Sequence, residues 1–170
     1  MLIACSPRSN GNSDYLFCLA KNIYPSADTL MLRNENLSGC IGCDSCLTTG
    51  ECYKSDNTTD ILNKMTAYDK IVLFCPVYFC GFDSHTKALI DRSQYLYNHS
   101  GKISGRIALV TVYAQNSDKI PFGLDYGMRF FAEALKKEYY GMLSFKGVDA
   151  KGEIRDKNPE IGLKEFLKNF

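Results

Sequence analysis

The run Ile71-Val72-Leu73-Phe74-Cys75, closed by Pro76, constrains this chain more than any other stretch. A strand with one wet face alternates apolar and polar residues, so an uninterrupted apolar run reads as a strand covered on both faces. Ile107 to Tyr113 reads as a second buried strand of the same kind. Residues 1–5, 28–33 and 142–148 read as three more. Helical spacing recurs between them: Leu16, Leu19, Ala20 and Ile23 fall at i, i+3, i+4, i+7, and so do Met128, Phe131, Ala132 and Leu135. Asn12 or Ser13 is the expected N-cap of the first helix. Further helices are expected at Asp60 to Ala67, at Ser84 to Leu96, and at the end, where Leu163, Phe166, Leu167 and Phe170 share a face.

Strands alternating with helices imply a parallel sheet covered on both sides, and right-handed connections leave few topologies. The prediction is an α/β, three-layer fold with a five-stranded parallel sheet of order 2-1-3-4-5. Residues 1–170 form one domain in this reading, with a Cys-rich insertion at about 38–57. The net charge of +1 comes from mixed basic and acidic residues. No basic stripe offers a surface for nucleic acid. No segment reaches the length of a membrane span, and no secretory signal is visible. The expectation is a cytoplasmic protein with neither nucleic acid nor membrane as partner. Eight cysteines in a reducing compartment are poorly explained by disulfides. Cys5, Cys18 and Cys75 read as small buried hydrophobes.

Ligands on a doubly wound sheet of this order bind beyond the carboxyl ends of strands 1 and 3. The loops there are 6–13 and 76–83. The first, Ser6-Pro7-Arg8-Ser9-Asn10-Gly11-Asn12-Ser13, sets hydroxyls, amides and a guanidinium at a helix start, the chemistry a phosphate monoester needs. It lacks both Gly-x-Gly-x-x-Gly and Gly-x-x-x-x-Gly-Lys-Ser/Thr, which disfavours dinucleotides and P-loop chemistry. Ser6, Asn12 and Ser13 can donate to phosphate oxygens while Arg8 adds charge; alternatively the loop is a polar turn that binds nothing. In the second loop, Pro76-Val77-Tyr78-Phe79-Cys80-Gly81-Phe82, three aromatics either stack on a flat ligand or plug a gap under a neighbouring loop or subunit. FMN has both a phosphate and a flat ring.

Cys40-x2-Cys43-x2-Cys46-x5-Cys52 places four thiols in one short loop. The spacing suits a [4Fe–4S] cluster; zinc, or a thiol-rich loop without metal, stays open beside it. Lys87, Asp91 and Arg92 read as helix-surface partners plus an ion pair that fastens helix to sheet. His85 and His99 are isolated, and no Ser-His-Asp or paired-carboxylate pattern suggests hydrolysis.

Together these pieces resemble the NAD(P)H-dependent FMN reductase family, and within it the iron-sulfur flavoproteins. The matching residues are Ser6-Pro7-Arg8-x-Asn10-Gly11-Asn12-Ser13, Gly39-Cys40-Ile41-Gly42-Cys43-x2-Cys46 with Cys52, Pro76-Val77-Tyr78-Phe79, and Lys87-x3-Asp91-Arg92. The chain departs from the family pattern at Cys5, where Gly is usual, and at Ser55-Asp56-Asn57, where Asp-Asp often stands. The resemblance implies a flavodoxin-like fold and a homodimer or homotetramer with flavin near the subunit interface. It implies that Ser6, Arg8, Asn10, Asn12 and Ser13 hold the FMN phosphate, with Pro76, Val77, Tyr78, Phe79 and Gly81 along the isoalloxazine. No side chain is then needed as catalytic acid or base, because the chemistry is centred on the flavin. NAD(P)H is the implied donor and a small molecule such as a quinone the acceptor; a cluster on Cys40, Cys43, Cys46 and Cys52 would admit a ferredoxin-like donor instead. The rival expectations are a flavodoxin-like or iron-sulfur electron carrier without reductase activity, which the net charge of +1 weakly opposes, and a metal-binding interaction module.

Overall fold

The computed structural model of the protein describes residues 1–99, 101–117 and 122–170. Its strands are β1 (Leu2–Ala4), β2 (Thr29–Met31), β3 (Lys70–Pro76), β4 (Arg106–Tyr113) and β5 (Glu138–Lys146). They form one sheet of order β2-β1-β3-β4-β5, and every neighbouring pair is parallel. The helices are α1 (Asn12–Ile23), α2 (Ser45–Thr49), α3 (Asn57–Thr66), α4 (Ser84–Arg92), α5 (Gln94–Tyr97), α6 (Phe122–Ala134) and α7 (Pro159–Asn169), with 3₁₀ turns at Leu32–Asn34 and Glu153–Lys157. The predicted flavodoxin-like order is the one observed.

Successive side chains of a strand point to opposite faces, and the two central strands use that period to feed two cores. Ile71, Leu73 and Cys75 of β3, with Ile107 and Leu109 of β4, pack with Ile61, Leu62 and Met65 of α3, Leu89 of α4, and Leu124, Met128 and Phe131 of α6. Val72 and Phe74, with Ala108, Val110 and Val112, pack against Leu16, Phe17 and Ala20 of α1 and Leu163 and Leu167 of α7. Phe17 meets Phe74 edge-on, with ring centroids 5.8 Å apart. Cys5 and Cys75 are fully buried as expected, and burial pushes the Cys75 thiol well up.

Several local expectations are corrected. Gly11, not Asn12 or Ser13, is the N-cap of α1, and no side chain caps it. Cys18 is exposed, because it lies on the outer face of α1. The second strand stops at Met31 and tightens into a 3₁₀ turn. α3 starts at Asn57, earlier than the apolar spacing shows, because the Asp56 carboxylate accepts from the Thr59 amide and caps the helix there. The helix expected over Ser84–Leu96 is two helices. Ser93 turns its hydroxyl back onto the Ile90 carbonyl at 2.7 Å, and the chain resumes as α5. β5 begins at Glu138, upstream of the expected Met142.

Candidate functional site

The β1–α1 and β3–α4 loops meet at the carboxyl edge of the sheet. They enclose a crevice of about 240 Å³ whose walls include Ser6, Arg8, Asn12, Ser13, Pro76, Val77 and Tyr78. Val77 is tied to β4 by its amide, which donates to the Val112 carbonyl at 3.1 Å. Across the opening, the Arg8 guanidinium stands over the Tyr78 ring, 5.7 Å from its centroid. The two loops are therefore joined by a cation–π contact between residues singled out for opposite ends of one ligand.

The donor set suits an anion. Among the described residues no side chain caps the first-turn N–H groups of α1, so the positive end of the helix opens where Ser6 and Ser13 stand, both buried. Ser6 Oγ accepts from the Arg8 amide at 3.2 Å, which folds the turn inward. Asp14 in that first turn would oppose an anion, but its carboxylate pairs with Arg33 at 3.0 Å and accepts the Asn10 amide at 2.7 Å. Asn10 sits at φ 55° and shapes the loop through this backbone bond.

The aromatic turn divides its labour. Tyr78 and Gly81 exchange two backbone hydrogen bonds, 3.0 and 2.8 Å, and close a tight turn with Phe79 and Cys80 both at positive φ. Tyr78 lines the crevice. Phe82 is half-buried against the core and touches α6 at Gly127, where a Cβ would come 2.8 Å from the ring. Phe79, at the tip, is fully exposed, and neither it nor Gly81 is among the residues lining the crevice.

Sequence reasoning missed a third wall. Val112, Tyr113 and Ala114 after β4, with Val148, Asp149 and Lys151 after β5, complete the crevice. Asn12 holds this wall: its Nδ2 donates to the Ala150 carbonyl at 2.9 Å and its Oδ1 accepts the Gly152 amide at 2.8 Å. Asn12 thus spends its side chain on the protein. Nothing in the composition of 148–151 marks it as a binding segment; only the order of strands brings it there.

Cys40, Cys43, Cys46 and Cys52 line a second crevice, of about 370 Å³, together with Asp91, Arg92 and Tyr95. All four are free thiols. Hydrogen bonding with the Ser45 hydroxyl and amide holds the Cys43 thiol below its usual range, and burial pushes Cys46 up. Among the described residues, no group of three or more His, Cys, Asp or Glu side chains is arranged to hold a single metal ion. Lys87 pairs with Asp91 on the helix surface, as expected. Arg92 departs from expectation: it fastens α4 to the Cys-bearing segment instead of the sheet. Its terminal nitrogens donate to Asp56 at 3.0 and 3.1 Å, to the Ser38 and Lys54 carbonyls at 3.1 Å each, and to the Ser38 and Thr59 hydroxyls at 2.8 and 2.7 Å. Burial works to lower the guanidinium, but Asp56 and the adjacent Cys52 thiol more than offset this and hold it above the ordinary arginine range. His99 meets the Gly50 carbonyl, closing the far end of the same segment.

A family model described as NADPH-dependent FMN reductase matches residues 1–119. An iron-sulfur flavoprotein of Methanocaldococcus jannaschii is 35% identical over 114 residues, covering 63% of this chain and 59% of the relative. The chain thus spans less than two thirds of the length of the curated relatives it matches. Among solved structures, an NAD(P)H:quinone oxidoreductase from Methanothermobacter marburgensis superposes with a TM-score of 0.72 at 12% identity, covering 97% of this chain and 93% of that one. An FMN-dependent NADH-azoreductase from Bacillus anthracis, in complex with FMN, gives 0.64 at 13% identity, covering 98% and 97%. At such identities the two structures speak for the fold.

Proposed function

The chain belongs to the NADPH-dependent FMN reductase family, and from that membership we propose that it is an FMN-dependent oxidoreductase taking electrons from reduced nicotinamide for a small acceptor such as a quinone. The observation that carries this reading is the junction of the β1–α1 and β3–α4 loops, bridged by Arg8 and Tyr78 over the uncapped start of α1. FMN, when bound, supplies the hydride and electron chemistry. The chain's own work is to bind and orient. The α1 amides, Ser6, Ser13 and Arg8 take the phosphate; Pro76, Val77 and Tyr78 flank the ring system; Asn12 keeps the 148–152 wall in place. No side chain in the crevice is required as acid or base.

The test is a flavin extraction followed by anaerobic turnover. Protein as purified, or titrated with flavin, is expected to release FMN on denaturation and to oxidise NADH or NADPH with a quinone only when FMN is present. Colourless protein that takes up no FMN on titration would overturn the reading.

The thiol-lined crevice favours a second element of this function. The four thiols line one crevice without being gathered for a single ion, an arrangement that suits a cubane, with a separate iron for each thiolate, better than zinc, which draws all its thiolates to about 2.3 Å. Cys40, Cys43, Cys46 and Cys52 would then hold a [4Fe–4S] group and admit a one-electron, ferredoxin-like donor. Robust electron exchange with such a donor, without steady-state NAD(P)H oxidation, would mark the protein as a carrier instead of a reductase.

A further inference from the structure

The Arg92 side chain is 1% exposed, and six of the contacts described above satisfy its two terminal nitrogens. Its Nε is buried and makes no hydrogen bond of ordinary geometry among the described residues. An unpaired donor on a buried guanidinium is costly, because the group has given up water without a replacement acceptor. Arg92 also forms part of the wall of the four-thiol crevice, and the thiol beside the guanidinium is Cys52. The clamp onto Ser38, Lys54, Asp56 and Thr59 holds the residues just before Cys40 and just after Cys52. It therefore fixes both ends of the cysteine segment on α4 and leaves one N–H unspent at the crevice.

We propose that Arg92 is a positioning residue for the thiol-bound centre, its unspent Nε–H donating to the Cys52 sulfur once that sulfur is a ligand. This rests on the reading of the crevice as an iron-sulfur site. A ligating thiolate is a stronger acceptor than a thiol, so loading the centre draws the adjacent Cys52 sulfur into a full hydrogen bond with this N–H. Hydrogen bonds to the sulfurs of such centres raise the reduction potential, and loss of an outer partner typically weakens metal binding 10–100-fold. Arginine suits the post because its planar fork can serve two directions at once; lysine retains the charge but not the fork.

The experiment uses anaerobically reconstituted, FMN-loaded protein and measures iron, acid-labile sulfide, the rate of iron loss to a chelator, and the midpoint potential of the centre. Arg92→Lys and Arg92→Gln are expected to lose iron at least about tenfold faster than wild type. Arg92→Gln is expected to shift the midpoint negative by an amount equivalent to about tenfold in the equilibrium, 59 mV for one electron. Asp56→Asn loosens the clamp but leaves Nε–H in place, so it should show no negative shift of the midpoint, whatever it does to iron retention. FMN content, read on the same samples, monitors the fold of each variant at the other crevice. Wild-type protein that takes up no iron and sulfide overturns the iron-sulfur reading and the proposal with it. A loaded wild type matched by Arg92→Lys in iron loss and potential overturns the role of Arg92 alone. Equal negative shifts in Arg92→Gln and Asp56→Asn would also overturn it, since a simple clamp would then suffice.

Discussion

Asp56 accepts from Ser38 Oγ at 2.7 Å, from both terminal nitrogens of Arg92, and from the Thr59 amide. Burial works to raise its carboxyl, but these bonds more than reverse it and hold Asp56 well below the usual carboxylate range. A folded-state value below the unfolded ~3.9 means that the native state takes up this proton less readily than the unfolded chain. The stabilisation is complete above about pH 4 and drains away as pH falls toward the folded-state value. The side chain is 33% exposed, so solvent screening trims the effect to about 1–2 kcal/mol. Urea melts from pH 7 downward are expected to show Asp56→Asn less stable by about that amount at pH 7, with the gap closing below about pH 4. Parallel curves for the two proteins would contradict this account.

At the level of elements, the entry to β4 is tightly determined. Gly105 sits at φ 84°, and a Cβ there would come 2.1 Å from the Asp69 carbonyl oxygen. The next amide, Arg106, donates to that same oxygen, and the Gly105 carbonyl accepts from Glu138 at the start of β5. Three strands thus begin from one knot that admits no side chain. Gly105→Ala is expected to cost about 3 kcal/mol or more, lowering Tm by about 6–12 °C, with calorimetry as the measurement. A drop of less than about 2 °C would show that the knot yields easily. The knot was invisible in the sequence, where Gly105 is one residue in a polar stretch. β3 and β4 were legible for the opposite reason: burial on both faces excludes charge from the strand interiors and leaves near-continuous apolar runs, broken only by Thr111, whose hydroxyl donates to the Cys75 carbonyl. The break between α4 and α5 left none, because Ser93 ends the helix through a bond to its own preceding turn, without proline or glycine.

For the whole molecule, ligand binding and stability are linked: a ligand at about 100 times its Kd adds about 2.7 kcal/mol to the folded state. FMN at that excess is expected to raise Tm by about 5–10 °C. Riboflavin at the same concentration should raise it much less, since the uncapped α1 start, Ser6 and Ser13 then face no phosphate. Equal shifts in thermal denaturation would remove the anion-binding role from that helix end. Two of the crevice's three walls were readable from residue chemistry, because hydroxyls, Arg8 and clustered aromatics stand out in any chain. The third was not, since Val148 and its neighbours line it through their place in the strand order. The sequence marks Arg92 only as an ion-pairing residue, because its partner Asp56 lies in a loop whose path periodicity does not predict.

The division of β3 into odd and even residues has a consequence for how such a protein diverges. The cysteine segment hangs from α3 and α4 on one side of the sheet, while α1 packs against the other. The strands act as an insulating floor between two storeys. A change in the length of the sulfur-bearing storey would fall on the α3–α4 side and leave the packing beneath α1 intact.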